Sequence, residues 1–381
     1  MKRIILALLV LCLLLPVAAP LALSSDDAQP EAEAATVVLS FPALAERIRK
    51  ESPVIQNNSR TLLNILSNDA RLSAAHAGLG ASGGMSGGGL GDPMDMLMNT
   101  LNGMMTRQAV AQVAALNLTP SQEAIYRIQF EMYDTQVVQA GETLYLRLIQ
   151  VQEGLERARR VRPLAEQGLL LAKTAESVGM GTESGTLSAA LRVSDLDALI
   201  SRLELGEMQL LFEMNKLLGI QYDNALRLRA LPAPDIAYYE AIDLAADLRT
   251  AVKNSYRLRI LEQERRAMTG SSEFRSVVRD RQRKDSEIEL ETQALGARMT
   301  LLYHTIANDR VALENQELRL KLAQADATAA QTAFEAGQIS ELAFKQAGEA
   351  LQAQKDAVSD AVQTLFWNIR TYQWIAEGLS L

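Results

Sequence analysis

The stretch FEAGQISELAF, residues 334–344, lies between two long runs that both read as helix. Ala336-Gly337 stops the first run, and the second restarts about four residues later. Gly337 can take the left-handed backbone conformation that closes a helix, and Ser340 can cap the helix that follows. The chain therefore reverses here and lays two helices side by side. The stretch reads as the tip of a helical hairpin.

The flanking runs carry the seams such a hairpin needs. Phe344, Leu351, Val358, Leu365 and Tyr372 recur every seven residues, with Val362, Ile369 and Ala376 four further on. Upstream, Val137, Leu144, Val151, Ala158, Ala165 and Ala172 do the same, joined by Gly141, Leu148, Leu155 and Leu169. Leu196, Leu203, Leu210 and Leu217 form a third series. This 4-3 spacing keeps one stripe of a helix against a partner along its whole length. The run from Ser121 to Glu176 is helix, about 84 Å long at 1.5 Å per residue, too long to wrap into a globule. Pro163 interrupts it and predicts a kink or a join.

The tip has a counterpart. AESVGMGTESGTLSAALRVSDLDAL, residues 175–199, resembles QTAFEAGQISELAFKQAGEAL, residues 331–351, with Gly181 set against Gly337. Each copy is preceded by a short amphipathic helix ending at a serine, LAERIRKESPVI before Ser52 and beyond, LRTAVKNSYRLR around Ser255. The chain is a tandem repeat joined through the proline-rich LPAPDI. The expected organisation is a first hairpin repeat over residues 38–230, a linker over 231–240 and a second repeat over 241–381. The first copy also holds a Gly- and Met-rich insert over residues 76–119, a flexible glycine-serine tract followed by a weakly amphipathic helix. The fold class is all-α, two tandem coiled-coil hairpins.

The remaining ends and the composition set the setting. Met1-Lys2-Arg3, the apolar run from Ile4 to Leu15 and the small residues after Pro16 read as a secretory signal peptide over residues 1–24, followed by a disordered linker over 25–37. The lone cysteine, Cys12, falls inside it, so disulfides, thiol catalysis and thiolate metal sites drop out of the mature chain. Losing Lys2 and Arg3 takes the formal charge from -8 to -10, which argues against a nucleic-acid partner. The chain is expected to be exported to the cell envelope.

Two tandem hairpins, each with a turn of the type Gly-x-x-Ser/Thr-x-x-Leu and each preceded by a helix like FPALAERIRKESPVIQ, resemble the TolC family of outer-membrane efflux proteins. Phe334, Gly337, Ser340 and Leu342 follow the family's tip pattern, and Val178, Gly179, Gly181, Thr182 and Leu187 follow it with one residue of slippage. The resemblance implies a homotrimer enclosing a helical barrel. It also implies tips that meet an adaptor (membrane fusion) protein fed by an inner-membrane transporter, and no cofactor or catalytic residue. The adaptor-contacting positions it implies are Val178, Gly179, Met180, Gly181, Thr182, Ala336, Gly337, Gln338, Ile339 and Ser340. Family members insert pairs of membrane strands where this chain has residues 76–119 and 269–284. A spanning strand needs about 9 to 11 alternating residues. TGSSEFRSVVRDRQRK offers only Phe274, Val277 and Val278 among five basic residues, and the first insert does not alternate. No transmembrane β-hairpin is expected.

Other candidate sites are few. His76 and His304 do not form a metal site, and no Ser-His-Asp set, phosphate loop or metal spacing appears. Arg275, Arg279, Arg281 and Arg283 read either as a solvated turn or as a contact for anionic lipid or wall polymer. Met94, Met98, Met104 and Met105 read either as local packing or as contact with a partner or membrane surface. Two functions remain: a conduit of an export machine, or a coiled-coil surface protein that conducts nothing.

Overall fold

The computed structural model describes residues 37–66, 119–221, 226–268 and 275–379. In chain order the elements are β1 (Val37–Leu39), α1 (Phe41–Glu51), α2 (Pro53–Leu66), α3 (Pro120–Ser177), α4 (Glu183–Leu218), β2 (Leu226–Leu228), α5 (Ile236–Glu240), α6 (Leu244–Asn254), α7 (Tyr256–Ala267), α8 (Arg275–Glu335) and α9 (Glu341–Ala376). α3 pairs with α4 and α8 with α9, giving the two hairpins. The long arms have 58 and 61 residues and both return arms have 36.

α3 opens on a capping box. Gln122 N donates to the Thr119 hydroxyl and Thr119 N donates to Gln122 Oε1 at 2.8 Å, with Pro120 at the first helical position. The helix then runs unbroken through Pro163, where the sequence suggested a kink or join. Proline removes one backbone bond. Arg159 reaches Glu204 and Arg162 reaches Asp197 on α4, while Arg160 reaches Asp356 on α9. These pairs hold the helix to two neighbours around the missing bond, which is why it continues.

The repeat is visible in how the elements end. All four hairpin helices finish on a glycine with positive φ: Gly179 at 74°, Gly219 at 64°, Gly337 at 70° and Gly378 at 110°. Each is followed by the same closing bond, Met180 N to Ala175 O at 2.8 Å, Ile220 N to Asn215 O at 2.9 Å, Gln338 N to Ala333 O at 2.8 Å and Leu379 N to Trp374 O at 3.0 Å. Ser52 and Ser255 turn α1 into α2 and α6 into α7 at nearly the same dihedrals, and both are buried. The end of α4 sits on the first corner and the end of α9 on the second. Tyr256 N donates to Gly378 O, and a Cβ on Gly378 would overlap the Asn254 carbonyl.

One strand pairing was not legible in the sequence. β1 and β2 pair in parallel with Val37 opposite Leu226 and Leu39 opposite Leu228. Strands of three residues are too short to show a period of two. Tyr145 of α3 pins the pair by donating to the Leu39 and Arg229 carbonyls at 3.2 and 2.6 Å.

The heptad seams are the packing seams. Val137, Leu144, Leu148, Leu155, Leu217, Leu365, Ile369 and Tyr372 are buried. The densest packing lies away from the tips, where α1 lays Phe41, Leu44 and Ile48 against α3 and α4, and α6 and α7 lay Ala251, Leu258 and Leu261 against α8 and α9. Each fully buried leucine or isoleucine there contributes about 1.5 to 3 kcal/mol. At the end opposite the tips, α2 and α7 flank the first turns of α3. Asn58 donates to Asp134 at 2.8 Å, Tyr256 meets Thr135 at 3.0 Å and Arg259 meets Glu131 at 3.0 Å.

Candidate functional site

The tips are two copies of one turn. Gly179 and Gly337 supply the left-handed residue, and three residues later Thr182 and Ser340 cap the returning helices by accepting from Gly185 N and Ala343 N, both at 3.2 Å. This corrects the expected alignment, which matched Gly181 to Gly337. VGMG holds two glycines, and only the one three residues before the cap can close the preceding helix in this geometry. Gly181 has another constraint: a Cβ there would come within 2.8 Å of Glu176 N.

The two tips differ in surface chemistry. On the first, Val178 and Met180 are 64% and 87% exposed. On the second, Ala336, Gln338 and Ser340 are exposed and Ile339 is half-buried. There Phe334 and Phe344 stack at 4.9 Å and 10° across the hairpin. The corresponding positions of the first tip, Glu176 and Thr186, carry no ring.

Above the tips the hairpins are joined by polar contacts between α3 and α9. Arg157 donates to Asp360 at 2.6 and 2.8 Å, Arg160 pairs with Asp356 and, at 3.4 Å, with Glu349, and Glu153 accepts from Gln363 at 2.9 Å. The ladder ends in a buried pair, Glu142 with Arg370 at 2.7 and 3.1 Å, where Arg370 also lies over Trp374. Below it α3, α4 and α9 part around an open cleft of about 780 Å³ lined by Val161, Leu164, Arg192, Leu342 and Gln346. The helices are thus ordered α4, α3, α9, α8 across a layer.

Both edges of this layer are apolar and, among the described residues, uncovered. α4 exposes Leu187, Leu191, Leu205, Met208 and Phe212, and α8 exposes Leu290, Leu301, Val311, Leu318 and Leu322, all more than half exposed. Sequence reasoning missed these edges and the polar ladder. The signal was present, since on α4 and α8 a second apolar stripe runs beside the packing seam, more than a two-helix rod requires.

The basic group is helical. Arg275 opens α8, and Arg279, Arg281 and Arg283 follow on it, so the second place where strands would be inserted is helix from residue 275 onward. Arg281 donates to the Met268 carbonyl and Lys284 to Glu264, which ties α7 to α8. Arg283 is 68% exposed at its side chain. Met94, Met98, Met104, Met105 and His76 lie outside the described residues. His304 stands edge-on to Tyr303. Among the described residues there is no cluster that could hold a metal ion and no helix long and apolar enough to cross a membrane.

Comparison with solved structures decides the architecture. The outer-membrane channel OprN superposes with a TM-score of 0.56 at 13% identity, covering 89% of this chain and 90% of that one. The fold is that of the TolC family. The outer membrane protein VceC from Vibrio cholerae gives a TM-score of 0.51 at 12% identity, covering 89% and 96%, and CusC, described for its transmembrane channel formation, gives 0.51 at 12%, covering 89% and 92%. Comparison of the sequence with family models and with curated proteins gives no match. The likeness is therefore one of TolC-type fold at low sequence identity.

Proposed function

We propose that this chain is a non-enzymatic subunit of an export conduit in the cell envelope, assembled as a ring of three copies. The observation that carries the reading is the pair of unlike apolar edges on the helical layer. An edge on α4 and a different edge on α8 make a head-to-tail interface, and such interfaces close into rings when the rotation permits. Counted from the tips, Met208 and Val311 lie at matching height. The fold shared with outer-membrane channels supports the same reading and the envelope location.

In this reading the tips, Val178 to Thr182 and Ala336 to Ser340, dock an adaptor protein that connects to an inner-membrane transporter. The exposed Met180 and Val178 offer an apolar knob, and the stacked phenylalanines stiffen the other tip. Cysteines at Met208 and Val311 in a Cys12→Ser background test the ring. Oxidation should give covalent species up to a closed trimer. A chain that stays monomeric with and without detergent, and does not cross-link, would instead be a spacer that conducts nothing.

A further inference from the structure

We infer that the cleft between the two hairpins, walled by α3, α4 and α9, binds an anionic amphiphile, an alkyl chain carrying a carboxylate head. The cleft opens where the polar ladder stops. Arg160 still reaches Asp356 and Glu349 at its upper rim, and toward the tips the walls turn apolar, with Val161 and Leu164 of α3, Ala189 of α4 and Leu342 and Ala350 of α9. A volume of about 780 Å³ behind mostly apolar walls is that of a small-molecule pocket. The alkyl chain has a place to lie.

Arg192 sets the sign of the head. The charged residues lining the cleft are Arg157, Arg160 and Arg192 against Glu349 and Asp356, an excess of one positive charge. Arg157 is held by Glu153, Asp356 and Asp360, and Arg160 by Asp356 and Glu349. Arg192 is exposed and, among the described residues, has no carboxylate partner. An apolar trough with one uncompensated guanidinium complements a carboxylate-headed chain, because the guanidinium fork takes a carboxylate through two parallel hydrogen bonds. A second cleft of about 620 Å³, between α1, the proline-rich linker and α9, offers no such charge, since Glu142 and Glu377 hold its Arg370. None of the residues lining the larger cleft belongs to the exposed stripes of α4 and α8, so the site does not depend on the ring.

The test is isothermal titration of the full chain, below micelle-forming concentrations, with octanoate, decanoate and dodecanoate, and with dodecyltrimethylammonium as the cationic counterpart. Dodecanoate should bind saturably, each two added carbons tightening the interaction by roughly tenfold, and the cationic amphiphile should bind at least about tenfold more weakly. Arg192→Glu should weaken dodecanoate about tenfold without weakening dodecyltrimethylammonium. Gly168 lines the cleft with nothing within 4 Å of where a Cβ would stand, so Gly168→Leu should fill the space and abolish binding of both. Ala350→Leu fills the same cleft from α9 and serves if Gly168→Leu loses helicity by circular dichroism. Arg202→Glu, on α4 but outside the cleft, should change nothing. The absence of saturable dodecanoate binding overturns the proposal, as does equal binding of the cationic amphiphile. So does dodecanoate binding that Arg192→Glu or the cleft-filling variants leave unchanged, or that Arg202→Glu lowers equally. Because the readout is on the single chain, failure of the conduit reading leaves this result interpretable.

Discussion

Gly337 is held at φ 70° with nothing within 4 Å of where a Cβ would sit, so its requirement for glycine is conformational and not steric. Gly337→Val should therefore lower stability by about 1 kcal/mol or more, read from denaturant unfolding. Gln338 has no such constraint, and Gln338→Glu should leave stability unchanged while weakening export or capture of an adaptor by a photo-crosslinker at that site. Ser340 lies between these cases because its hydroxyl caps α9. Ser340→Asp should be tolerated, and Ser340→Leu should cost about 1 kcal/mol. Asp134 offers a pH test. Burial beside α2 pushes its carboxyl above the usual range, against the lesser pull of the Asn58 amide. A raised value in the folded state means that its contribution is present below the unfolded pKa and lost as pH rises through the folded one. Asp134→Asn keeps the amide contact and should be more stable than the parent at pH 7, with the difference shrinking as pH falls toward the usual carboxylate range.

At the scale of elements, α3 and α9 show how charge is used where apolar contact is sparse. The rungs at Arg157 and Arg160 are half-buried, whereas Glu142 is nearly fully buried, its side chain 3% exposed against 18% for Arg370. Glu142→Leu should leave Arg370 without its main partner and cost roughly 3 to 5 kcal/mol, while Glu142→Leu with Arg370→Met should recover most of the loss in a double-mutant cycle. Pro163 makes the opposite prediction. The helix continues through it, so Pro163→Ala should restore a backbone bond and remove a clash, raising stability by as much as about 3 kcal/mol in thermal unfolding. Much of this scale was readable from residue order. The hairpin arms followed from the sevenfold seams, and the tips from glycine and a capping residue. The alignment of the first tip slipped by two residues because either glycine of VGMG satisfies a local rule.

At the scale of the whole molecule, the exposed apolar edges of α4 and α8 are what the proposed ring rests on. Replacing Leu301 and Leu318 with glutamate should leave helical content intact, since both are exposed in the single chain, yet shift the sedimentation of the assembly to that of a monomer. A monomer that was already present before the substitution would remove the ring. The amino-acid sequence by itself determined the helical class, the two hairpins, their tips and the absence of alternation at the basic segment. Each of these depends on residues close together in the chain, where spacing sets the face of a helix and one glycine can end it. Only the tertiary structure decided the parallel pairing of Val37–Leu39 with Leu226–Leu228, the burial of Glu142 against Arg370 and which apolar stripes remain uncovered. Those depend on partners up to about 228 residues away in sequence, and a period along one helix cannot specify which neighbour will cover it.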